Sequence, residues 1–383
     1  MDRMPARGAD TPQFQSGLEG VVASVSAICF VDGQEGRLLY RGFDIHALAE
    51  HSTFEEVVSL LWHGALPSRA QLDALRHELG AVRALPAAVQ GLLTGLPRAA
   101  DPMDVLRTVV SALGLYDPDL QDLSPASNLR RAARLVAQFP TIVAAYHRVR
   151  QGKAPVPPRP EASHAADFLA MLFGSAPDPE HVRAMDIALI LQADHELNAS
   201  TFAARVTAAT LADIYAATTS AIGTLKGPLH GGASEAVMKL LLEIGSIDRV
   251  EPVIREKLAR KEKIPGFGHR VYRTEDPRAR HLRTLAQQLG TKAGDLRWFE
   301  MTGKVEGIVT RERQLYPNVD LYSPSVYAAM GLPLDLFTPI FAVSRISGWT
   351  AHILEQYADN RLIRPRAEYI GPLRRDFVPV DLR

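Results

Sequence analysis

The segment Ile187-Ala188-Leu189-Ile190-Leu191-Gln192-Ala193 is apolar except for Gln192. Within a longer helical pattern, such a segment is typical of a helix that is buried on most of its sides. Two capping boxes, Thr53-Phe54-Glu55-Glu56 and Ser68-Arg69-Ala70-Gln71, predict the starts of two more helices, because each leads into apolar residues at three- and four-residue spacing. The sequence therefore predicts a mainly helical fold.

Patterns typical of strands are sparse. The best candidate runs from Ala27 to Tyr40, where two β-leaning runs flank the turn residues Asp32 to Gly36. We expect at most one small N-terminal hairpin. A length of 383 residues favours two domains, or one large domain carrying a lobe.

Composition excludes several classes of protein. The 43 basic and 43 acidic residues cancel, so no long-range field attracts nucleic acid or an anionic membrane. The single cysteine, Cys29, excludes an internal disulfide framework and cannot alone form a thiolate metal site. No apolar run reaches the length of about 18 residues that a membrane span needs. We expect a cytoplasmic protein with a flexible tail over residues 1–16.

The glycine-rich run from Gly227 to Gly232 contains His230 and leads directly into an apolar-periodic segment. A histidine just before a helix N-terminus is held neutral by the helix dipole and can donate a hydrogen bond to an oxygen that becomes negative. The alternative is a histidine that merely caps a turn.

A second glycine turn carries His269 and is followed by Asp276-Pro277-Arg278. Asp276 fits an N-cap and Pro277 the first helical position, so Arg278 falls in the first turn. A cation is disfavoured at the N-terminal end of a helix, so an anionic partner would explain the presence of Arg278 there. A solvated arginine is the alternative.

Two further charged residues stand among apolar neighbours. Partial burial would raise the pKa of Asp320 and strengthen it as a base, although an aspartate at a helix cap is the alternative. Arg345 lies in the mostly apolar run from Phe337 to Trp349, so its guanidinium must find an anion, either a structural carboxylate or a substrate.

Other chemistry lacks support in the sequence. His195 follows the buried helix, where a hydrogen-bonded core histidine is a sound alternative to a ligand-binding one. No Cys/His cluster or HExxH motif indicates a metal, and no G-x-S-x-G motif indicates a nucleophilic triad.

Together these motifs resemble the citrate synthase family, and closest is its short bacterial form, which includes 2-methylcitrate synthases. The resemblance covers about residues 17–380. It is carried, in chain order, by Gly17-Leu18-Glu19-Gly20-Val21, His195-Glu196-Leu197-Asn198, Gly227-Pro228-Leu229-His230-Gly231-Gly232, Gly266-Phe267-Gly268-His269-Arg270-Val271-Tyr272, Asp276-Pro277-Arg278, Asn318-Val319-Asp320, Ser344-Arg345-Ile346-Ser347-Gly348-Trp349 and Ile363-Arg364-Pro365-Arg366.

The resemblance implies a condensation of oxaloacetate with an acyl-CoA, followed by thioester hydrolysis, with no cofactor because the CoA thioester is a substrate. It implies catalytic roles for Asp320 as the base, His230 at the thioester oxygen and His269 at the oxaloacetate carbonyl. By the same resemblance the remaining site residues bind oxaloacetate (His195, Arg278, Arg345 and Arg364) or CoA (Ile264, Pro265, Gly266, Phe267, Gly268 and Arg273).

The resemblance also implies a homodimer in which Arg364 reaches the partner's site. It implies an all-α fold with a large helical domain, residues 17–228 and 326–383, and a small helical domain, residues 229–325, that closes over the substrates. Ser234 stands where the family usually has Asn, and Ser323-Pro324 replaces a common Ser-Gly or Ser-Ala. One alternative is a 2-methylcitrate synthase that uses propionyl-CoA in place of acetyl-CoA, because one methylene is worth only about 1–3 kcal/mol in an apolar pocket. The other is a non-catalytic protein that binds a dicarboxylate or CoA.

Overall fold

A computed structural model describes residues 15–383, so nearly all of the predicted tail over residues 1–16 lies outside the described part of the chain. Sixteen α-helices dominate this part. In chain order they are α1 (Ile45–His51), α2 (Phe54–His63), α3 (Arg69–Ala81), α4 (Ala87–Gly95), α5 (Pro102–Leu113), α6 (Pro125–Arg150), α7 (His164–Phe173), α8 (Pro179–Gln192), α9 (Ala199–Ala208), α10 (Ile214–Leu225), α11 (Ala233–Ile244), α12 (Ile247–Ala259), α13 (Pro277–Ala293), α14 (Arg297–Arg313), α15 (Val319–Ala329) and α16 (Phe337–Ala358).

One small antiparallel sheet completes the fold. Its strands, in the order β1-β2-β3, are β1 (Cys29–Asp32), β2 (Arg37–Tyr40) and β3 (Phe43–Asp44). Strands β1 and β2 form the predicted hairpin, with Cys29 opposite Tyr40. The third strand has only two residues, too few for a period-two pattern to predict it. The all-α prediction is confirmed.

Local sequence sets the helix ends as predicted. Both capping boxes form, one at Thr53 before α2 and one at Ser68 before α3. Asp276 caps α13 and accepts the N–H of Arg278, with Pro277 at the first helical position. Each cap satisfies backbone N–H groups that have no partner within the helix.

The hydrophobic core is centred on three long helices. Helix α8 contains the predicted buried segment, and α16 is buried along most of its length. Helix α6 packs against α16, and α8 packs against α16 as well. The buried apolar residues form one continuous cluster, which gives the polar side chains at the ends of these helices a fixed scaffold.

Helices α11 to α15 pack mainly against one another, and α13 contacts α1 and α8 while α11 contacts α16. Helices α11 to α14 and the first part of α15 fall within residues 229–325, the predicted small domain. The predicted boundary after residue 325 falls inside helix α15, so that division of the chain stays a prediction. The turns that connect α8 to α9, α10 to α11 and α12 to α13 carry the histidines described next.

Candidate active site

His269 lies against His195 and Tyr272. The His195 and His269 ring centroids are 4.9 Å apart, and His195 Nε2 is 3.3 Å from the Tyr272 hydroxyl oxygen. The Nδ1 atom of His269 accepts the backbone N–H groups of Val271 at 3.0 Å and Tyr272 at 3.2 Å. Because Nδ1 accepts, the neutral ring carries its proton on Nε2. Burial and the charge of Arg278 lower the pKa of His269 to about 4, so the ring is a neutral donor near pH 7.

His230 has the opposite tautomer. It lies in the turn before α11, as predicted, and its Nε2 accepts the backbone N–H of Ser200 at 3.2 Å. The Ser200 hydroxyl oxygen lies 2.8 Å from the same atom and also accepts the indole N–H of Trp349. The neutral imidazole therefore carries its proton on Nδ1. Burial and then Arg345 lower the pKa of His230 to about 4.

Asp320 occupies the first turn of α15. Its backbone N–H donates to the side chain of the N-cap, Asn318, so Asn318 rather than Asp320 caps the helix. The carboxylate Oδ1 accepts the Ser234 hydroxyl at 2.6 Å. Burial raises the pKa of Asp320, and the Ser234 hydrogen bond opposes that rise. A carboxylate with a raised pKa is a stronger base, in agreement with the prediction from its apolar neighbours.

Backbone hydrogen bonds join the His269 turn to the start of α15. The N–H of Asn318 donates to the Gly266 carbonyl at 2.9 Å, and the Gly268 N–H donates to the Tyr316 carbonyl at 3.0 Å. The Asn318 amide also donates to the Gly268 carbonyl. These bonds fix the spacing between His269 and Asp320. They also occupy three backbone groups of the predicted CoA segment.

Arg278 is buried and paired within the protein. Asp276 accepts its Nε at 2.9 Å and its Nη2 at 2.7 Å. Burial disfavours the charge, but the contact with Asp276 outweighs burial and raises the pKa of Arg278. Nη1 has no hydrogen bond to any residue within 15–383 and is the atom that could hold a substrate carboxylate. The anionic partner predicted from the helix position is therefore, at least in part, Asp276.

Arg345 is buried without a carboxylate partner in the described part of the chain. Its Nε donates to the Gln192 carbonyl at 2.7 Å, and its guanidinium carbon lies 4.7 Å from the Phe341 ring centroid. Burial lowers the pKa of Arg345, although Asp194 opposes that effect. A buried guanidinium with free N–H groups is suited to a carboxylate ligand. The charge of Arg345 also favours the neutral form of His230 and the ionised form of Asp320.

Two predicted site residues lie at the surface. Arg364 is exposed in the extended segment after α16, and within residues 15–383 it makes no hydrogen bond or ion pair. Arg273 is exposed too, and its backbone N–H donates to the Gly33 carbonyl at 2.8 Å. The other CoA candidates, Ile264, Pro265 and Phe267, are buried or partly buried beside the His269 turn.

Sequence reasoning missed the serines that orient these groups. Ser200 sets the tautomer of His230. Ser234 donates to Asp320 and is itself hydrogen-bonded to Ser323. Ser234 attracted notice only because the resembling family usually has Asn there. Tyr272 was part of a quoted motif, but its contacts with His195 and His269 depend on the folded loop.

Residues 15–383 contain neither a cluster of metal-ligand side chains nor a helix that could cross a membrane. No group of three or more His, Cys, Asp or Glu side chains is arranged to hold a metal ion. No helix combines the length and hydropathy required to cross a membrane.

Comparison with known proteins gives the family of this chain. The profile of the family described as "Citrate synthase, C-terminal domain" matches residues 17–366. The "Citrate synthase 2" of Bacillus subtilis is 52% identical, over 96% of this chain and 98% of that protein. The "Citrate/2-methylcitrate synthase" of the same organism is 44% identical, over 94% of this chain and 97% of that protein.

A solved structure supports the fold. The citrate synthase of the archaeon Thermoplasma acidophilum, in a ternary complex with carboxymethyl coenzyme A and oxaloacetate, superposes with a TM-score of 0.92 at 33% identity, covering 97% of this chain and all of that one. This chain belongs to the citrate synthase family. It is accordingly an enzyme of the acyltransferase class.

Proposed function

We propose that this chain is a citrate synthase that joins the methyl carbon of acetyl-CoA to the carbonyl carbon of oxaloacetate and then hydrolyses citryl-CoA to citrate and CoA. The observation that carries the proposal is one carboxylate with a raised pKa beside two neutral histidines whose free N–H groups are on opposite ring nitrogens. A carbon–carbon condensation needs these three elements: a base and two donors at separate oxygens.

The chemistry would proceed in three steps. The Asp320 carboxylate takes a proton from the acyl methyl group, while Nδ1–H of His230 hydrogen-bonds the thioester oxygen on which negative charge develops. The enol or enolate carbon attacks the oxaloacetate carbonyl carbon, and Nε2–H of His269 protonates the resulting alkoxide. Water then cleaves the thioester, releasing CoA and citrate. Both donors stabilise charge in a site that is largely shielded from water.

Three arginines, Arg278, Arg345 and Arg364, would hold the substrate carboxylates. Within residues 15–383, Nη1 of Arg278 and the Nη groups of Arg345 make no hydrogen bond, so they are available to a substrate carboxylate. His195 would add a hydrogen bond. The segment from Ile264 to Gly268 would bind the CoA adenine, and the exposed Arg273 would face a CoA phosphate. No cofactor takes part in the proposal, because the thioester is a substrate.

A homodimer would complete the site with Arg364 of the second subunit. The C-terminal segment supports this arrangement, because its apolar side chains lie unburied in the single chain: Ile370 is 92% exposed and Phe377 83%. Contiguous exposed apolar residues mark an interaction surface. The small domain, residues 229–325, would close over the substrates.

Complementation tests the shared site. Arg364→Ala protein and Asp320→Ala protein, each inactive, are mixed under conditions that exchange subunits. With random pairing about half of the dimers are mixed, and one of the two sites in each mixed dimer is intact, so about a quarter of wild-type activity should return. No recovery, despite mixed dimers detected by mass spectrometry, would place Arg364 outside the partner's site.

A second candidate, 2-methylcitrate synthase, is favoured by the 44% identical relative whose name includes that activity. The test compares kcat/KM for acetyl-CoA and propionyl-CoA with oxaloacetate, following CoA release and identifying the product by mass spectrometry. We expect acetyl-CoA to give the higher value. A higher value for propionyl-CoA would establish the second candidate, and turnover of neither by folded protein would contradict both.

A further inference from the structure

Ser234 lies in the first turn of α11 and is buried against α15. Its hydroxyl oxygen is 2.6 Å from Oδ1 of Asp320 and 3.1 Å from the hydroxyl oxygen of Ser323, which is also buried. Among residues 15–383, Ser234 supplies the one side-chain hydrogen bond to the Asp320 carboxylate. The contact joins two helices, and the two residues that make it are 86 positions apart in the sequence.

The direction of these hydrogen bonds follows from counting protons. A serine hydroxyl has a single proton, and an ionised carboxylate can only accept. Ser234 therefore donates to Asp320, and Ser323 donates to Ser234. A short hydrogen bond to a charged acceptor is stronger than a neutral one. The two hydroxyls form a chain that ends on Oδ1.

We propose that Ser234 is the positioning residue of the catalytic base: it holds Oδ1 of Asp320 and so leaves Oδ2 to face the acyl α-carbon. The inference rests on the proposed function of Asp320. Asn318 fixes only the backbone of Asp320, because its side chain accepts the backbone N–H. The orientation of the carboxylate therefore depends on Ser234.

Pro324 increases this dependence. It lies inside α15, four residues after Asp320, and has no backbone N–H. The carbonyl of Asp320 consequently lacks its usual donor in the helix, and the first turn of α15 is held by fewer bonds. A side-chain contact from α11 compensates by fixing the carboxylate from a neighbouring helix.

Several groups besides the Ser234 hydroxyl affect the pKa of Asp320. Burial raises its pKa most, the Ser234 hydrogen bond lowers it, and the guanidinium groups of Arg278 and Arg345 lower it while Asp276 raises it. The Tyr327 hydroxyl on the same helix also lies close enough to interact with it. Replacing Ser234 removes none of these other groups, so its effect on the titration of Asp320 can be isolated.

The test is the pH profile of kcat/KM for acetyl-CoA at saturating oxaloacetate. Ser234→Ala should lower kcat about tenfold, which corresponds to about 1.4 kcal/mol, and should move the acid limb to higher pH. Oxaloacetate affinity should stay within about twofold of wild type. Ser234→Asn keeps an N–H donor and should recover most of the lost rate, with its acid limb close to that of wild type.

Ser325→Ala is the matched control. Ser325 is buried in α15, the helix that carries Asp320, but it hydrogen-bonds to Thr302 at 3.0 Å, so its loss should leave the acid limb in place. If Ser234→Ala does not fold, the nearly isosteric Ser234→Cys, a weaker donor, takes its place and should show the same shift.

Asp320→Asn, assayed alongside, separates the two claims. If Asp320→Asn is inactive while Ser234→Ala keeps the wild-type rate and acid limb, the positioning role is wrong and the base assignment stands. If Asp320→Asn remains active, Asp320 is not the base, and the positioning role of Ser234 fails with it. A loss of melting temperature and oxaloacetate affinity in Ser234→Ala, with an unmoved acid limb, would show a merely structural serine and overturn the inference.

Discussion

Two buried arginines should respond in opposite ways to the same substitution. Arg345 and Arg83 are each 2% exposed. Arg83 pairs with Asp167 at 3.2 Å and donates to two backbone carbonyls, whereas Arg345 bonds to one carbonyl and no carboxylate in the described chain. We expect Arg345→Leu to abolish tight oxaloacetate binding without unfolding the protein, and Arg83→Leu to destabilise the fold.

The magnitudes follow from the partners. Removing one member of a buried ion pair leaves an uncompensated charge and costs about 3–5 kcal/mol, so Arg83→Leu should lower the free energy of unfolding by that amount. Arg345→Leu leaves no paired carboxylate uncompensated, and an apolar replacement of a buried charge is often neutral. The charge-assisted bonds to a substrate carboxylate are worth about 1.5–3 kcal/mol each, so oxaloacetate affinity should fall at least tenfold.

Thermal unfolding without ligand and titration calorimetry with oxaloacetate separate these effects. Free CoA provides the control ligand, because Arg345 is not expected to contact it, and its affinity should be unchanged. The reasoning is wrong if Arg345→Leu loses as much stability as Arg83→Leu while its folded fraction binds oxaloacetate normally.

Two further predictions concern the protein outside the reacting groups. Burial raises the pKa of Asp186 to about 7, so the folded state retains a proton that the unfolded state releases near pH 4. The retained proton stabilises the folded state by up to about 4 kcal/mol at low pH, and this stabilisation is lost as the pH rises from about 4 through 7. Asp186→Asn should therefore flatten the fall in stability measured by denaturant unfolding between pH 5 and 8, and an unchanged slope would contradict this assignment. A Cβ on Gly33 would lie 2.2 Å from the Val271 carbonyl oxygen, so Gly33→Ala should displace the His269 loop and lower kcat, whereas Gly91→Ala, with open space around its Cβ, should not. Equal rates for the two glycine variants would contradict that role.

Much of the helical fold could be predicted because its signals are local. The capping boxes at Thr53 and Ser68 each lie within four residues, and the buried segment of α8 is visible as an apolar run. Strand β3 was not predicted, because two residues carry no periodicity and it forms only by pairing with β2. The N-terminal hairpin was predicted from its turn residues.

Some residues of the candidate site could likewise be identified from local sequence, whereas others depend on distant partners. Arg345 could be singled out because a charge in an apolar helix is conspicuous in sequence, and the structure gives it no carboxylate partner within residues 15–383. The tautomer of His230 depends on Ser200, 30 positions away. Asp320 depends on Ser234, 86 positions away. Such pairings are set by tertiary packing, which no local pattern reports.

The assignment of Asp320 as the base is the central claim, and Asp320→Asn tests it most directly. The amide cannot take a proton from the acyl carbon, and general base catalysis contributes about 10²–10⁴-fold to a rate. We predict that citrate formation falls by that factor while the calorimetric affinity for oxaloacetate stays within about twofold of wild type. A kcat within about tenfold of wild type, a loss of no more than about 1.4 kcal/mol, would contradict the account.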